Sequence, residues 1–100
     1  MTTTTADTPT HRRTIAELSI TENEAYLDAI RVRRLKLAEY VEQAENAKRI
    51  VKSESTLKVL DHRLELASKA IAACDRAIER AESAINRVRV LVFEIEGTTQ

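Results

Sequence analysis

Apolar residues recur at every third and then every fourth position over residues 57–95. This spacing averages about 3.5 residues, close to one helical turn, so the side chains lie along one face of an α-helix. A face of this length has to be buried against another helix, in the same chain or in a second copy. We call this set the seam: Leu57, Leu60, Leu64, Ala67, Ile71, Cys74, Ile78, Ala81, Ile85, Val88, Val92 and Ile95.

A second, less regular stripe covers the region before the seam. Arg34 and Lys48 occupy two of its positions. We expect either that their aliphatic stems pack at the edge with the charges in water, or that buried charges specify the register at a cost in stability. The apolar members of this stripe are Leu27, Ile30, Leu37, Val41, Ala44 and Val51.

The two stripes are offset by two residues, which rotates the apolar face by about 200° on a continuous helix. Residues 52–56 between them contain Ser and Thr, which are typical of helix N-caps. The pattern therefore predicts an all-α fold, a coiled-coil-like antiparallel hairpin of two helices, at about 22–51 and 56–96. A single bent helix over about 22–95 remains the alternative, and residues 88–95 are β-branched enough to form a strand instead.

The chain ends are predicted to be less regular than the hairpin. Residues 1–13 are polar and rich in Thr, which predicts a disordered arm. Thr14 with Glu17 and Thr21 with Glu24 fit capping boxes, so a short helical turn over 14–20 is expected before a hairpin over 21–97. Gly97 is expected to end the second helix and leave residues 98–100 as a tail.

The second helix is predicted to extend about ten residues past the first. This overhang is the most apolar part of the chain, and an exposed patch of this kind marks an interaction site. We expect residues 14–20 or a partner chain to cover it. Leu91 and Phe93, which lie beside the seam in this overhang, are therefore included with it in the predicted interface.

Composition agrees with a helical, non-enzymatic protein. Neither Gly nor Pro occurs between Thr10 and Glu96, and turns and strands usually need these residues. The 16 basic and 16 acidic residues balance, which argues against a dedicated nucleic-acid-binding protein. No apolar run approaches the ~20 residues of a membrane span, and the N-terminus lacks the apolar segment of a signal peptide. We therefore expect a cytoplasmic location or one within a larger particle.

Few residues have the potential for chemistry. Cys74 lies in the seam, where a small buried hydrophobe is expected, and a lone cysteine forms no internal disulfide. His62 and Glu65 share a helix face, but further metal ligands are lacking. The basic run over 31–36 spreads around the helix and has no interleaved aromatic residues. We therefore predict no catalytic residue, metal site or cofactor.

The pattern predicts a structural or assembly subunit that self-associates into a helical bundle or docks on a larger complex through the seam. A component of a bacterial or phage particle would fit this size. An adaptor, chaperone or regulatory module that binds another protein through its apolar 88–95 end is the alternative. A helical protein associated with nucleic acid is the weaker third possibility. Asp61, Asp75, Glu82 and Arg89 are expected to set the orientation of the two helices.

Overall fold

Two long α-helices make up the protein. The computed structural model describes residues 8–98, in which α1 spans Pro9–Ile50, α2 spans Glu54–Thr98 and residues 51–53 connect them. The predicted all-α antiparallel hairpin is confirmed, and the single bent helix is wrong. The strand alternative for residues 88–95 is also wrong, because α2 continues through them.

The first helix begins earlier than the pattern predicts, at Pro9 rather than near residue 22. The hydroxyl oxygen of Thr8 accepts a hydrogen bond from the backbone N–H of His11 at 3.1 Å, as an N-cap residue does. Proline suits the first helical position because its missing N–H would have no partner there. Residues 9–13 are therefore helical and not part of a disordered arm, whereas the prediction for residues 1–7 lies outside the described residues.

Neither of the two predicted capping boxes starts a helix. The hydroxyl of Thr14 donates to the carbonyl of Thr10 at 3.0 Å, and that of Thr21 donates to the carbonyl of Glu17 at 3.1 Å. A threonine inside a helix satisfies its hydroxyl in this way on the preceding turn. The separate helical turn predicted over 14–20 is thus an internal part of α1.

The connection between the helices is shorter than predicted, because it comprises residues 51–53 instead of 52–56. The hydroxyl of Ser53 accepts a long hydrogen bond, 3.5 Å, from the backbone N–H of Thr56, and Glu54 is the first residue of α2. Ser53 thus occupies the N-cap position, and an acidic residue in the first turn interacts favourably with the helix dipole. A serine caps the second helix, as the prediction expected, but the turn lies closer to the N-terminus than predicted.

The second helix passes through Gly97 and ends at Thr98, so the prediction that Gly97 terminates it is wrong. With 42 residues in α1 and 45 in α2, the predicted ten-residue overhang is wrong as well. The helix α1 is longer than predicted because it starts at Pro9 instead of near residue 22. The chain's own N-terminal segment, which was one of the two expected covers, faces only part of the apolar 88–95 end.

The chain divides into two compact units. Unit 1 contains the residues up to Asp28 and those from Glu79 onward, and unit 2 is Ala29–Ile78. The core of each unit is thin: within the described residues, no large side chain is completely enclosed. The most buried side chains of unit 1 are Leu27, Ala81 and Ile85, and those of unit 2 are Ile30, Ala44, Leu64, Ala67 and Cys74.

Candidate helix-docking surfaces

The seam is buried inside the hairpin. Its most buried members, Ala81 and Ile85 in unit 1 and Ala67 in unit 2, are only 4–6% exposed. The other seam residues are buried or partly buried. The structure therefore brings the predicted interface residues of the seam together against α1, within the same chain, and leaves no continuous open seam for a partner.

Leu91 and Phe93 are the two predicted interface residues that are not brought into this contact. The side chain of Leu91 is 52% exposed and that of Phe93 is 76% exposed. Val88, Val92 and Ile95, from the same apolar end of α2, are partly buried instead. The 88–95 end thus contributes one face to the hairpin and leaves another face accessible.

Ion pairs follow one edge of the seam in unit 2. The guanidinium of Arg34 donates hydrogen bonds to the carboxylate of Asp75, and the ammonium of Lys48 lies 2.6 Å from a carboxylate oxygen of Asp61. Of the two alternatives for Arg34 and Lys48, the edge position with an accessible charge is confirmed. Asp61 and Asp75 thus form the ion pairs between helices through which they were expected to set the orientation.

These contacts also affect the titration of the two basic side chains. The hydrogen bond from Arg34 to Asp75, together with the attraction between their charges, raises the pKa of Arg34. In the same way, the hydrogen bond to Asp61 and its negative charge raise the pKa of Lys48. Both side chains stay partly exposed, so we expect the ion pairs to select the pairing of the helices more than to strengthen it.

Unit 1 has ion pairs along the corresponding edge. A guanidinium nitrogen of Arg13 lies 2.8 Å from a carboxylate oxygen of Glu96, and one of Arg89 lies 3.4 Å from a carboxylate oxygen of Glu24. In a heptad written abcdefg, with the seam at a and d, Asp75 and Arg89 occupy e positions. Positions e and g flank a seam on opposite sides, so the ion-paired edge leaves the g edge free of these contacts.

The g edge of unit 2 is lined mostly by small and apolar residues. We call it the flank and define it as the g and c positions of both helices in unit 2. Its most exposed large side chains are Ile50, 78% exposed, Leu66, 52%, and Val59, 49%. On α1 it includes a shallow groove of about 500 Å³ beside Tyr40. The flank comprises Ala29, Arg33, Lys36, Tyr40, Gln43, Ala47, Ile50, Thr56, Val59, Arg63, Leu66, Ala70, Ala73 and Ala77.

A second apolar surface lies in unit 1. An open groove of about 550 Å³ runs between α1 and α2, and Ile15 and Ser19 line it on one side while Val88 and Leu91 line it on the other. We call the exposed large apolar side chains of residues 15–18 and 90–93 the end patch, of which Ile15 and Leu91 line this groove. The members of the end patch are Ile15, Leu18, Val90, Leu91 and Phe93, all between 52% and 76% exposed.

Comparisons with known protein families, curated proteins and solved structures found no match. The described part of the chain also offers no group of three or more His, Cys, Asp or Glu side chains that could hold a metal ion. Over residues 8–98, neither helix has a stretch with the length and apolar character that crossing a membrane requires. The flank and the end patch are therefore the candidate functional surfaces of the described residues.

Neither surface could be found from the seam alone. The flank depends on Val59 and Leu66, which occupy c positions and repeat with the heptad, so a count of apolar c positions would have indicated it. The contribution of Ile15 and Leu18 to the end patch depends on the early start of α1 at Pro9. The signal for that start, an N-cap threonine followed by proline, is present in the sequence at Thr8.

Proposed function

We propose that this chain is a non-enzymatic assembly subunit that joins copies of itself into a larger helical structure through the end patch. The seam, on which the sequence-based hypothesis relied, is filled within the hairpin, so association has to use side chains that remain accessible. The proposal keeps the predicted role and transfers it to a different surface.

The clustering of exposed apolar side chains carries this proposal. Among the described residues, eleven large hydrophobic side chains are exposed, and five of them belong to the end patch. They lie in two short stretches, 15–18 and 90–93, and one member of each stretch, Ile15 and Leu91, lines the same groove. A concentration of exposed apolar side chains at one place is typical of a protein–protein contact, whereas scattered apolar side chains are ordinary on any surface.

Charge and core size favour self-association as well. The chain has 16 basic and 16 acidic residues, so copies of it do not repel each other through net charge. A hairpin with such a thin core is marginally stable alone, and packing against another copy adds buried apolar area. An assembly subunit gains stability and performs its function through the same contact.

The test is the solution mass of the protein, measured by light scattering over a concentration series, with far-UV circular dichroism on the same samples. We expect the mass to rise above the monomer value of 11.3 kDa with concentration. The double variant Leu91→Asp/Phe93→Asp should remain monomeric and keep its helicity. Both side chains are more than half exposed, so a charge there opposes association without disturbing the core.

The matched control is Leu35→Asp, because the side chain of Leu35 is 60% exposed and lies in α1 outside the end patch. This variant should associate as the wild type does. A wild-type mass that stays at 11.3 kDa over the whole series would contradict self-association. Equal loss of association in both variants would instead show that the end patch has no special role.

A further inference from the structure

Charge is distributed unevenly around unit 2. None of its acidic residues lies on the flank, although the flank contains the cations Arg33, Lys36 and Arg63. Five of the other flank positions are Ala, and the rest are Tyr40, Gln43, Ile50, Thr56, Val59 and Leu66. The acidic residues of unit 2, all of which occupy b, e or f positions, are Glu39, Glu42, Glu45, Glu54, Asp61, Glu65 and Asp75.

The cations of the flank differ from those on the opposite edge. Arg34 and Lys48 are paired with Asp75 and Asp61. Arg33, Lys36 and Arg63 are exposed, and the structure gives them no ion pair within residues 8–98. The positive charge of the flank is therefore not compensated by neighbouring carboxylates, and it is interleaved with an apolar strip.

We propose that the flank binds an acidic amphipathic helix of another protein. The alanines at 29, 47, 70, 73 and 77 let a partner helix approach closely, and Val59 and Leu66 supply apolar contact area. Acidic side chains along the borders of the partner's apolar stripe would pair with Arg33, Lys36 and Arg63. This binding uses unit 2 and goes beyond the self-association proposed for the end patch.

Charge argues against two other occupants of the flank. A second copy that presented the same face would bring the three cations of each copy together, and like charges across an interface suppress association. Nucleic acid would be attracted to the cations, but the apolar side chains between them would gain nothing from phosphates. An acidic amphipathic helix matches both the charges and the apolar strip.

The experiment uses the full chain and two synthetic peptides of about 28 residues, long enough to be helical in water. The first peptide has a Leu and Ala stripe bordered by Glu, and its twin has Lys in place of each Glu. Binding is followed by fluorescence anisotropy at low and high salt. We expect the Glu peptide to bind about tenfold or more tightly than its twin, with an affinity that falls as salt rises.

A charge swap makes the test specific for the flank. The triple variant Arg33→Glu/Lys36→Glu/Arg63→Glu should no longer bind the Glu peptide and should bind the Lys peptide instead. All three side chains are exposed and Glu is a good helix former, so the variant should fold. The neutral variant Arg33→Gln/Lys36→Gln/Arg63→Gln should bind both peptides equally and without salt dependence, which provides a second test if the swap variant is not helical.

The matched control makes the same change of net charge away from the flank. It is the triple variant Arg49→Glu/Lys58→Glu/Arg76→Glu, whose three positions are exposed and are neither g nor c positions. This variant should still prefer the Glu peptide. If the control and the swap variant lose the preference for the Glu peptide to the same extent, the proposal is overturned. Net charge alone would then explain the binding.

Three further outcomes would also overturn it: equal binding of both peptides to the wild type, binding of neither peptide, or preference for a 20-base-pair DNA duplex over the Glu peptide. The end-patch variant Leu91→Asp/Phe93→Asp separates this proposal from the assembly function. It should bind the Glu peptide as the wild type does, even though it no longer self-associates. Failure of one proposal therefore leaves the other independently testable.

Discussion

Two leucines of α2, separated by one residue, should respond very differently to truncation. Leu64 lies in the seam and is 8% exposed, whereas Leu66 lies on the flank and is 52% exposed. Both belong to unit 2, and Leu→Ala changes helix propensity equally at the two positions. The pair Leu64→Ala and Leu66→Ala therefore isolates the effect of burial inside the hairpin.

The expected magnitudes follow from these exposures. Burying a leucine side chain completely contributes about 1.5–3 kcal/mol, and truncation inside a core adds the cost of the cavity. For Leu64, which is almost fully buried, we expect a loss of about 2–3 kcal/mol in the free energy of unfolding. For Leu66, half of this area is already in water and no enclosed cavity forms, so we expect about 1 kcal/mol or less.

The assay is urea denaturation followed by circular dichroism at 222 nm, repeated at two protein concentrations. A loss of 2–3 kcal/mol would be a large part of the stability of a small domain and is readily measured. Equal losses for the two variants would refute the assignment of the seam to the interior. A loss at Leu66 that grows with protein concentration would instead show that a second copy covers the flank.

Three smaller predictions test other parts of the structure. The stabilisation from Lys48 should be present below its ordinary pKa of 10.5 and disappear as the pH rises through the raised pKa, so Lys48→Gln and wild type should converge in thermal stability at the alkaline end. Gly97→Ala should raise the free energy of unfolding by up to about 1 kcal/mol in urea titrations, because a Cβ there meets no atom within 4 Å and alanine is the better helix former. Cys74, 7% exposed, should react with a thiol reagent far more slowly in the native protein than in denaturant, and equal rates would contradict its burial.

The fold could be predicted from the sequence because one effect, the burial of the apolar stripes, dominates it. The seam needs a partner helix, and the two-residue offset between the stripes requires a break in the chain, so the hairpin was predictable. The ends of the helices depend instead on single hydrogen bonds of similar free energy. Thr14 and Thr21 fit a capping pattern as well as Thr8 does, and only the structure shows which threonine accepts a bond from a backbone N–H.

The candidate surfaces were predictable only in part, because they depend on what the hairpin leaves uncovered. Phe93 was expected to be accessible and is, whereas Val92 next to it is partly buried. Whether a basic residue is paired also depends on which edge it occupies. Arg33 and Arg34 are neighbours in sequence, but only Arg34 reaches an aspartate on α2. A one-residue step turns a helix by about 100°, which is enough to move a charge from one edge to the other.

The selectivity that we propose for the flank depends on this division between edges, because the whole chain has no net charge. In unit 2 the acidic residues all lie outside the flank, and two of them, Asp75 and Asp61, pair with Arg34 and Lys48 on the opposite edge. The flank is therefore cationic even though the whole chain is neutral. Screening at physiological salt limits such charges to about 8 Å, so a partner senses the local surface and not the total charge. Selectivity of this kind depends on helix register, which the seam itself determines.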